Sequence, residues 1–216
     1  MRLLLARHGE TTWNRDGRYQ GHSDPPLSAW GEAQAQALAR RFSATEEIRI
    51  VASPLMRAQT TAHIIARPHN IPVTADHRLM ELGYGEWEGL QQAAVKLKWP
   101  ELLRQWKRTP QQVTFPGGES LQDMQQRVQS FLEHTAAQSG TVLAITHDGV
   151  VRMIVLAALG QPLSAFRDMR IENASVTTCA WEGGKFIIED LNDVAHLLNL
   201  ADDPARQPPQ YESRTI

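Results

Sequence analysis

Two histidines in this chain follow short, solid apolar runs. Leu3-Leu4-Leu5-Ala6 leads into Arg7-His8-Gly9, and Val142-Leu143-Ala144-Ile145 leads into Thr146-His147-Asp148-Gly149. A third run, Ile48-Arg49-Ile50-Val51-Ala52, leads into Ser53-Pro54 and then Arg57. Taken singly, each residue has an ordinary explanation. His8 reads as part of a solvated strand end, His147 as a core histidine with one satisfied nitrogen, and Arg57 as a surface arginine pairing with a carboxylate. Together they say more, because all fall where an apolar run stops. Two imidazoles and the guanidiniums of Arg7 and Arg57 on one rim suit a phosphoryl group. Arginine matches the oxygen geometry of that group, and a following helix N-terminus favours an anion. Backbone donors at Asp148 and Gly149 add to such a pocket.

The elements that must hold these residues follow from the apolar spacing. The solid runs read as buried strands. Ala35, Leu38, Ala39 and Phe42 repeat with helical spacing, as do Leu55, Ala58, Ala62 and Ile65 in a segment that stops near Pro68. Ser53-Pro54 reads as the N-cap and first residue of that second helix. Ile71-Pro72-Val73 is a short extended piece. Residues 91–107 read as one helical stretch broken at Thr109-Pro110. Leu121, Met124, Val128, Phe131 and Leu132 stripe a long helix, with Ser120 and Asp123 spaced as a capping box. Val150, Val151, Ile154, Val155 and Ala158 form a further helix. The stretches 176–181 and 186–191 around Gly183-Gly184 read as a hairpin.

Strands buried on both faces and alternating with helices predict a three-layer α/β/α fold. Its central sheet is mostly parallel with an antiparallel edge strand. In such sheets ligands bind at the carboxyl ends of the strands, where Arg7, His8, Arg57 and His147 fall. One domain is expected over 1–200, with 83–118 as an insertion over the active site and 201–216 as a loosely ordered tail.

Composition narrows the classes. Among 216 residues there are 22 Lys+Arg and 24 Asp+Glu, giving a net charge of −2, so no basic footprint points to nucleic acid. The single cysteine, Cys179, excludes an internal disulfide and a cysteine-rich zinc site. No apolar stretch reaches the ~18 residues of a membrane span, and the N-terminal run is too short for a signal peptide. A cytoplasmic protein, monomer or homodimer, with no membrane or nucleic-acid partner is the expectation. No metal is expected either: the histidines form no compact ligand motif, and the arginines beside His8 oppose a cation there.

Six ordered segments carry a resemblance. Leu5-Ala6-Arg7-His8-Gly9-Glu10-Thr11-Thr12-Trp13-Asn14 resembles the signature of the histidine phosphatase superfamily, also called phosphoglycerate mutase-like. Arg18 to Ser28, Ser53 to Ala62, Leu79 to Gly89, Gly117-Gly118-Glu119-Ser120 and Thr146-His147-Asp148-Gly149 are similar to its later motifs in order, and Asn192-Asp193 with His196-Leu197 to its late strand end. The resemblance spans 2–197. It implies that His8 is the nucleophile that becomes phosphorylated, with Arg7 and Arg57 keeping it neutral and stabilising the transferring group. It implies that His147 donates to the phosphoryl group and that Asn14, Gln20 and Gly21 contact phosphate. Glu81 falls at the proton donor, with Glu86 as the rival.

The resemblance implies a phosphomonoester hydrolase acting on a small phosphorylated metabolite without a cofactor, of the small monofunctional branch. A cofactor-dependent phosphoglycerate mutase is the alternative, although Leu82 stands where the mutases have arginine after the acid. A non-catalytic phosphate-binding module is a second alternative, disfavoured because nucleophile, acid and both arginines are all present.

Overall fold

The computed structural model describes residues 1–42 and 48–201. Six strands form one sheet: β1 (Arg2–Arg7), β2 (Ile48–Ala52), β3 (Val73–Ala75), β4 (Thr141–Thr146), β5 (Val176–Glu182) and β6 (Lys185–Asp193), in the order β3-β2-β4-β1-β5-β6. β1 runs parallel to β4, β4 to β2, and β2 to β3. The terminal hairpin makes the antiparallel side, β5 pairing antiparallel with both β1 and β6.

The helices are α1 (Thr12–Asp16), α2 (Ala29–Arg41), α3 (Met56–Ala66), α4 (Gln92–Lys98), α5 (Pro100–Arg108), α6 (Leu121–Ala136), α7 (Asp148–Leu159) and α8 (Leu198–Ala201). β1 shows why the fold has three layers. Its side chains alternate between faces, yet Leu3 to Ala6 are all buried. Leu3 and Leu5 join a core with Val128 of α6 and Ile154 of α7. Leu4 and Ala6 join the opposite core with Leu38 of α2 and Ala62 of α3. Truncating Leu5 to alanine in such a core costs about 2–5 kcal/mol.

Two readings of local sequence need correction. α3 starts at Met56, not Pro54, and its N-cap, Leu55, makes no side-chain cap. The cap comes from Asp24 instead: its two carboxylate oxygens lie 2.8 and 2.9 Å from the Met56 N–H. Ser53 Oγ accepts only from Leu55 N. A cap supplied from 32 residues away leaves no local signal. The stretch 91–107 is two helices, not one. Pro100 has no N–H to continue α4 but suits the first turn of α5.

The Ser120–Asp123 capping box is present. Residues 83–118 contribute no strand to the sheet. Their Trp87, Trp106 and Phe115 pack edge to face with Tyr84 and Tyr19, ring centroids 4.9–6.3 Å apart. That cluster anchors the loop that follows Glu81. The stretch 201–216 lies outside the described residues except for Ala201, which ends α8.

Candidate active site

The exits of β1 and β4 are tied together, because the His8 N–H donates to Thr146 O at 2.9 Å. His8 is 2% exposed and its ring is held on both sides. Nδ1 lies 2.7 Å from Gly9 O, and a carbonyl only accepts, so Nδ1 carries the proton. Arg57 Nε donates to Nε2 at 3.3 Å, so Nε2 is the unprotonated nitrogen and its lone pair accepts from the guanidinium. The His8 carbonyl is fixed in turn by Ala174 N and Asn173 Nδ2, each at 3.2 Å.

His147 is the N-cap residue of α7 and is fully buried. Its ring centroid lies 5.1 Å from that of His8, at 61°. Among the described residues neither of its ring nitrogens has a partner. Arg57 is fully buried, contrary to its surface reading. Nη1 donates to Ser23 O at 2.8 Å and Nη2 to Gly21 O at 2.7 Å, with Asp24 at 3.8 Å. Arg7 is half-buried, with Nη1 on Ile171 O and Nε buried without a partner among the described residues.

These placements set the charges. Burial, then Arg57 and Arg7, holds His8 well below the usual histidine range, so it is neutral at pH 7. Burial, then Arg57, does the same for His147. Burial also lowers Arg57, to about 10, and it keeps its charge at pH 7.

Glu81 is 7% exposed and accepts from Leu82 N at 2.8 Å and Gly149 N at 3.4 Å. Burial, and next the Asp148 carboxylate, pushes it above the usual glutamate range, which favours the protonated acid. A Cβ on Gly149 would sit 2.4 Å from Glu81 Oε1, so only glycine admits the carboxyl here. The Gly149 N–H, expected for phosphate, is thus directed at Glu81. Asp148 pairs with Arg152 at 2.9 Å. The rival Glu86 is exposed and bound to Lys98 at 3.1 Å.

Asn14 is half-buried. Its Oδ1 closes the α1 capping box with Thr11 and lies 3.4 Å from Asn173 Nδ2. Gln20 is buried, its Oε1 accepting from Thr11 Oγ1 at 3.0 Å. All of these contacts use the amide oxygens of Asn14 and Gln20 as acceptors, not their nitrogens. Gly21 contributes its carbonyl to Arg57.

Sequence reasoning missed the residues that hold the acid loop. Arg127 of α6 donates to the carbonyls of Arg78, Met80 and Glu81 and pairs with Glu119 at 2.9 Å. His22 Nε2 donates to Glu81 O at 2.9 Å. Arg127 breaks no apolar stripe, so nothing in its own helix marks it. Glu119 and His22 lie within motifs already noted, but their spacing does not tell what they touch.

The family model described as "Histidine phosphatase superfamily (branch 1)" matches residues 3–194. The chain is 38% identical over 199 residues to "Phosphoserine phosphatase 1" of Hydrogenobacter thermophilus, covering 91% of this chain and 94% of that protein. It is 34% identical over 204 residues to "Probable phosphoglycerate mutase GpmB" of Salmonella paratyphi C, covering 91% and 95%. The crystal structure of the alpha-ribazole phosphatase from Shigella flexneri superposes with a TM-score of 0.80 at 29% identity, covering 89% of this chain and 96% of that one. With nearly the whole length matched, and buried histidines meeting at the sheet's carboxyl rim, the chain belongs to the histidine phosphatase superfamily.

Proposed function

We propose that the protein hydrolyses phosphomonoesters of small metabolites through a phosphohistidine at His8. The observation that carries this is the tautomer of His8. A nucleophilic imidazole needs an unprotonated nitrogen, and the Gly9 carbonyl and Arg57 Nε assign it to Nε2, whose long 3.3 Å contact with Arg57 must give way to phosphorus on attack. In the first step Nε2 attacks phosphorus, the ester P–O bond breaks, and Glu81 gives its proton to the departing oxygen. In the second step water attacks the phosphoryl group, Glu81 takes a proton from it, and the N–P bond breaks to release phosphate. Arg7, Arg57 and His147 stabilise the equatorial oxygens in both steps. Asn14, Gln20, Gly21 and the N-terminus of α7 at Asp148 complete the phosphate cradle, while the Gly149 N–H serves Glu81. Residues 83–118 serve as the insertion beside this site.

Two of the three related proteins above are named as phosphatases of phosphoserine and alpha-ribazole and the third as a probable phosphoglycerate mutase, which supports a small phosphorylated metabolite as the substrate. The mutase reading is less supported: the residue after Glu81 is Leu82, fully buried, where the mutases have arginine.

The test is to mix the protein with a ³²P-labelled phosphoester and quench within one turnover. The expected label is stable to alkali, labile to acid, mapped to His8 and absent in His8→Ala. Turnover without such a label would exclude the phosphohistidine route. Turnover is also expected to persist in excess EDTA, because Arg7 and Arg57 carry the charge that a metal would otherwise neutralise. Loss in EDTA, restored by one divalent ion, would reverse that reading.

A further inference from the structure

Arg57 is held by a turn, and the turn is held by a carboxylate that touches neither Arg57 nor His8. Glu88 follows the turn Gly85–Trp87 and is half-buried. Its Oε1 accepts from the backbone N–H groups of His22 at 2.9 Å and Tyr84 at 3.1 Å. Its Oε2 accepts from Ser23 N and Ser23 Oγ, both at 2.8 Å. Four donors thus converge on one carboxylate, which forms no ion pair among the described residues. The carbonyls of the turn at 21–23 point the other way. Gly21 O and Ser23 O take Nη2 and Nη1 of Arg57, leaving Nε to meet His8 Nε2. The approach is close. Gly21 has φ +53, and a Cβ there would lie 2.0 Å from Glu88 Oε1.

This arrangement solves an electrostatic problem. A carboxylate paired directly with Arg57 would fix the guanidinium but cancel the positive charge that acts on His8 and the phosphoryl group. Neutral carbonyls fix both Nη groups at 2.7–2.8 Å, while the paired carboxylate, Asp24, stands off at 3.8 Å and takes no hydrogen bond from the guanidinium. The turn still needs an anchor, and Glu88 supplies it through N–H and O–H donors, one layer further from His8.

We propose that Glu88 is a positioning residue for Arg57: by fixing the turn at 21–23 it sets the direction in which the guanidinium meets His8. The inference rests on the reading of His8 as nucleophile.

A double-mutant cycle on the rate of phosphoenzyme formation tests it. Arg57→Ala is expected to slow that step about 10²–10³-fold, as for loss of one electrostatic donor. Glu88→Gln keeps the size but turns an amide nitrogen towards a donor, and is expected to slow it about 10-fold. In the Arg57→Ala background the same change is expected to cost less than about twofold, since the residue it acts through is gone. The ¹⁵N resonance of His8 Nε2 is expected to move in the same direction in both single variants, a response that a general loss of stability would not give. Losses that multiply, or a His8 resonance unmoved in Glu88→Gln, would refute the role of Glu88. An Arg57→Ala protein with an unchanged rate would instead refute the phosphoryl reading itself. Should Glu88→Gln fail to fold, Ser23→Ala removes one of the four donors and keeps the carbonyl. Its expected cost is about 2–3-fold, again absent when Arg57 is alanine, and a cost that persists there would count against the proposal.

Discussion

The exits of β1 and β4 carry nearly the same local sequence, a histidine with a glycine one or two residues on, and the chain gives the two rings different surroundings. Both are buried, and burial keeps both neutral. The His8 ring is bounded at each nitrogen, by Gly9 O and Arg57 Nε, whereas the His147 ring has no partner at either nitrogen among the described residues. Burial therefore decides charge, and neighbours decide tautomer. A nucleophile needs its lone pair assigned before substrate arrives. A group that receives an anion needs a donor held in reserve. An unsatisfied buried polar group costs about 1–3 kcal/mol, and the His147 ring carries two of them with its centroid 5.1 Å from that of His8.

The largest test of this contrast is His8→Ala. With the proposed nucleophile removed, turnover is expected to fall about 10⁴-fold or more. Activity within tenfold of the parent would erase the distinction between the two histidines.

Glu81→Gln comes next. It keeps size and hydrogen bonding but has no proton to give. Phosphorylation of His8 by an alkyl phosphate is expected to slow about 10²–10⁴-fold. Phosphorylation by nitrophenyl phosphate, whose phenolate leaves without help, is expected to slow far less. Rapid quench on phosphoenzyme formation is the right measurement, because steady-state rates mix in the second step. Equal losses for the two substrates would move the acid role away from Glu81.

His147→Ala is expected to cost about 10²–10³-fold while still allowing the label to appear on His8. A variant as inactive as His8→Ala, with no label formed, would show that both rings act on the nucleophilic side.

The smallest effect lies in stability. Both histidines have folded-state values below the ordinary 6.5, so the unfolded chain binds more protons as the pH drops through that value. Their contribution is complete above 6.5 and is lost on acidification towards the folded values. Thermal midpoints measured between about pH 7.5 and pH 5 are expected to fall, and to fall less steeply in His147→Phe, which removes one of the titrating rings. An identical slope in that variant would mean that His147 takes up its proton as readily in the folded protein as in the unfolded chain.

What the sequence made legible was local. Solid apolar runs marked β1, β2 and β4, and helical spacing marked α2, α3, α6 and α7, because each pattern repeats within one element. The strand-exit positions of His8, His147 and Arg57 followed from those elements. Glu81 came from the resemblance alone, since nothing in its neighbours reveals that it is buried against Gly149. The rest was hidden because it joins distant segments. Asp24 caps α3, Arg127 grips the carbonyls before and at Glu81, and Asn173 holds the His8 carbonyl from 165 positions away. The five-residue helix α1 went unread, because it buries no side chain and so has no apolar stripe.

The lone cysteine has a consequence of a different kind. Cys179 lies opposite Leu3 in β5, fully buried, and burial pushes its thiol up to about 12. Oxidants and alkylating agents attack thiolates, and at pH 7 the folded chain offers essentially none. With imidazole in place of sulfur at the proposed reacting position, peroxide has no target of the kind that silences cysteine-based phosphatases. Iodoacetamide is expected to label the chain only after unfolding, which makes Cys179 an internal reporter of global opening.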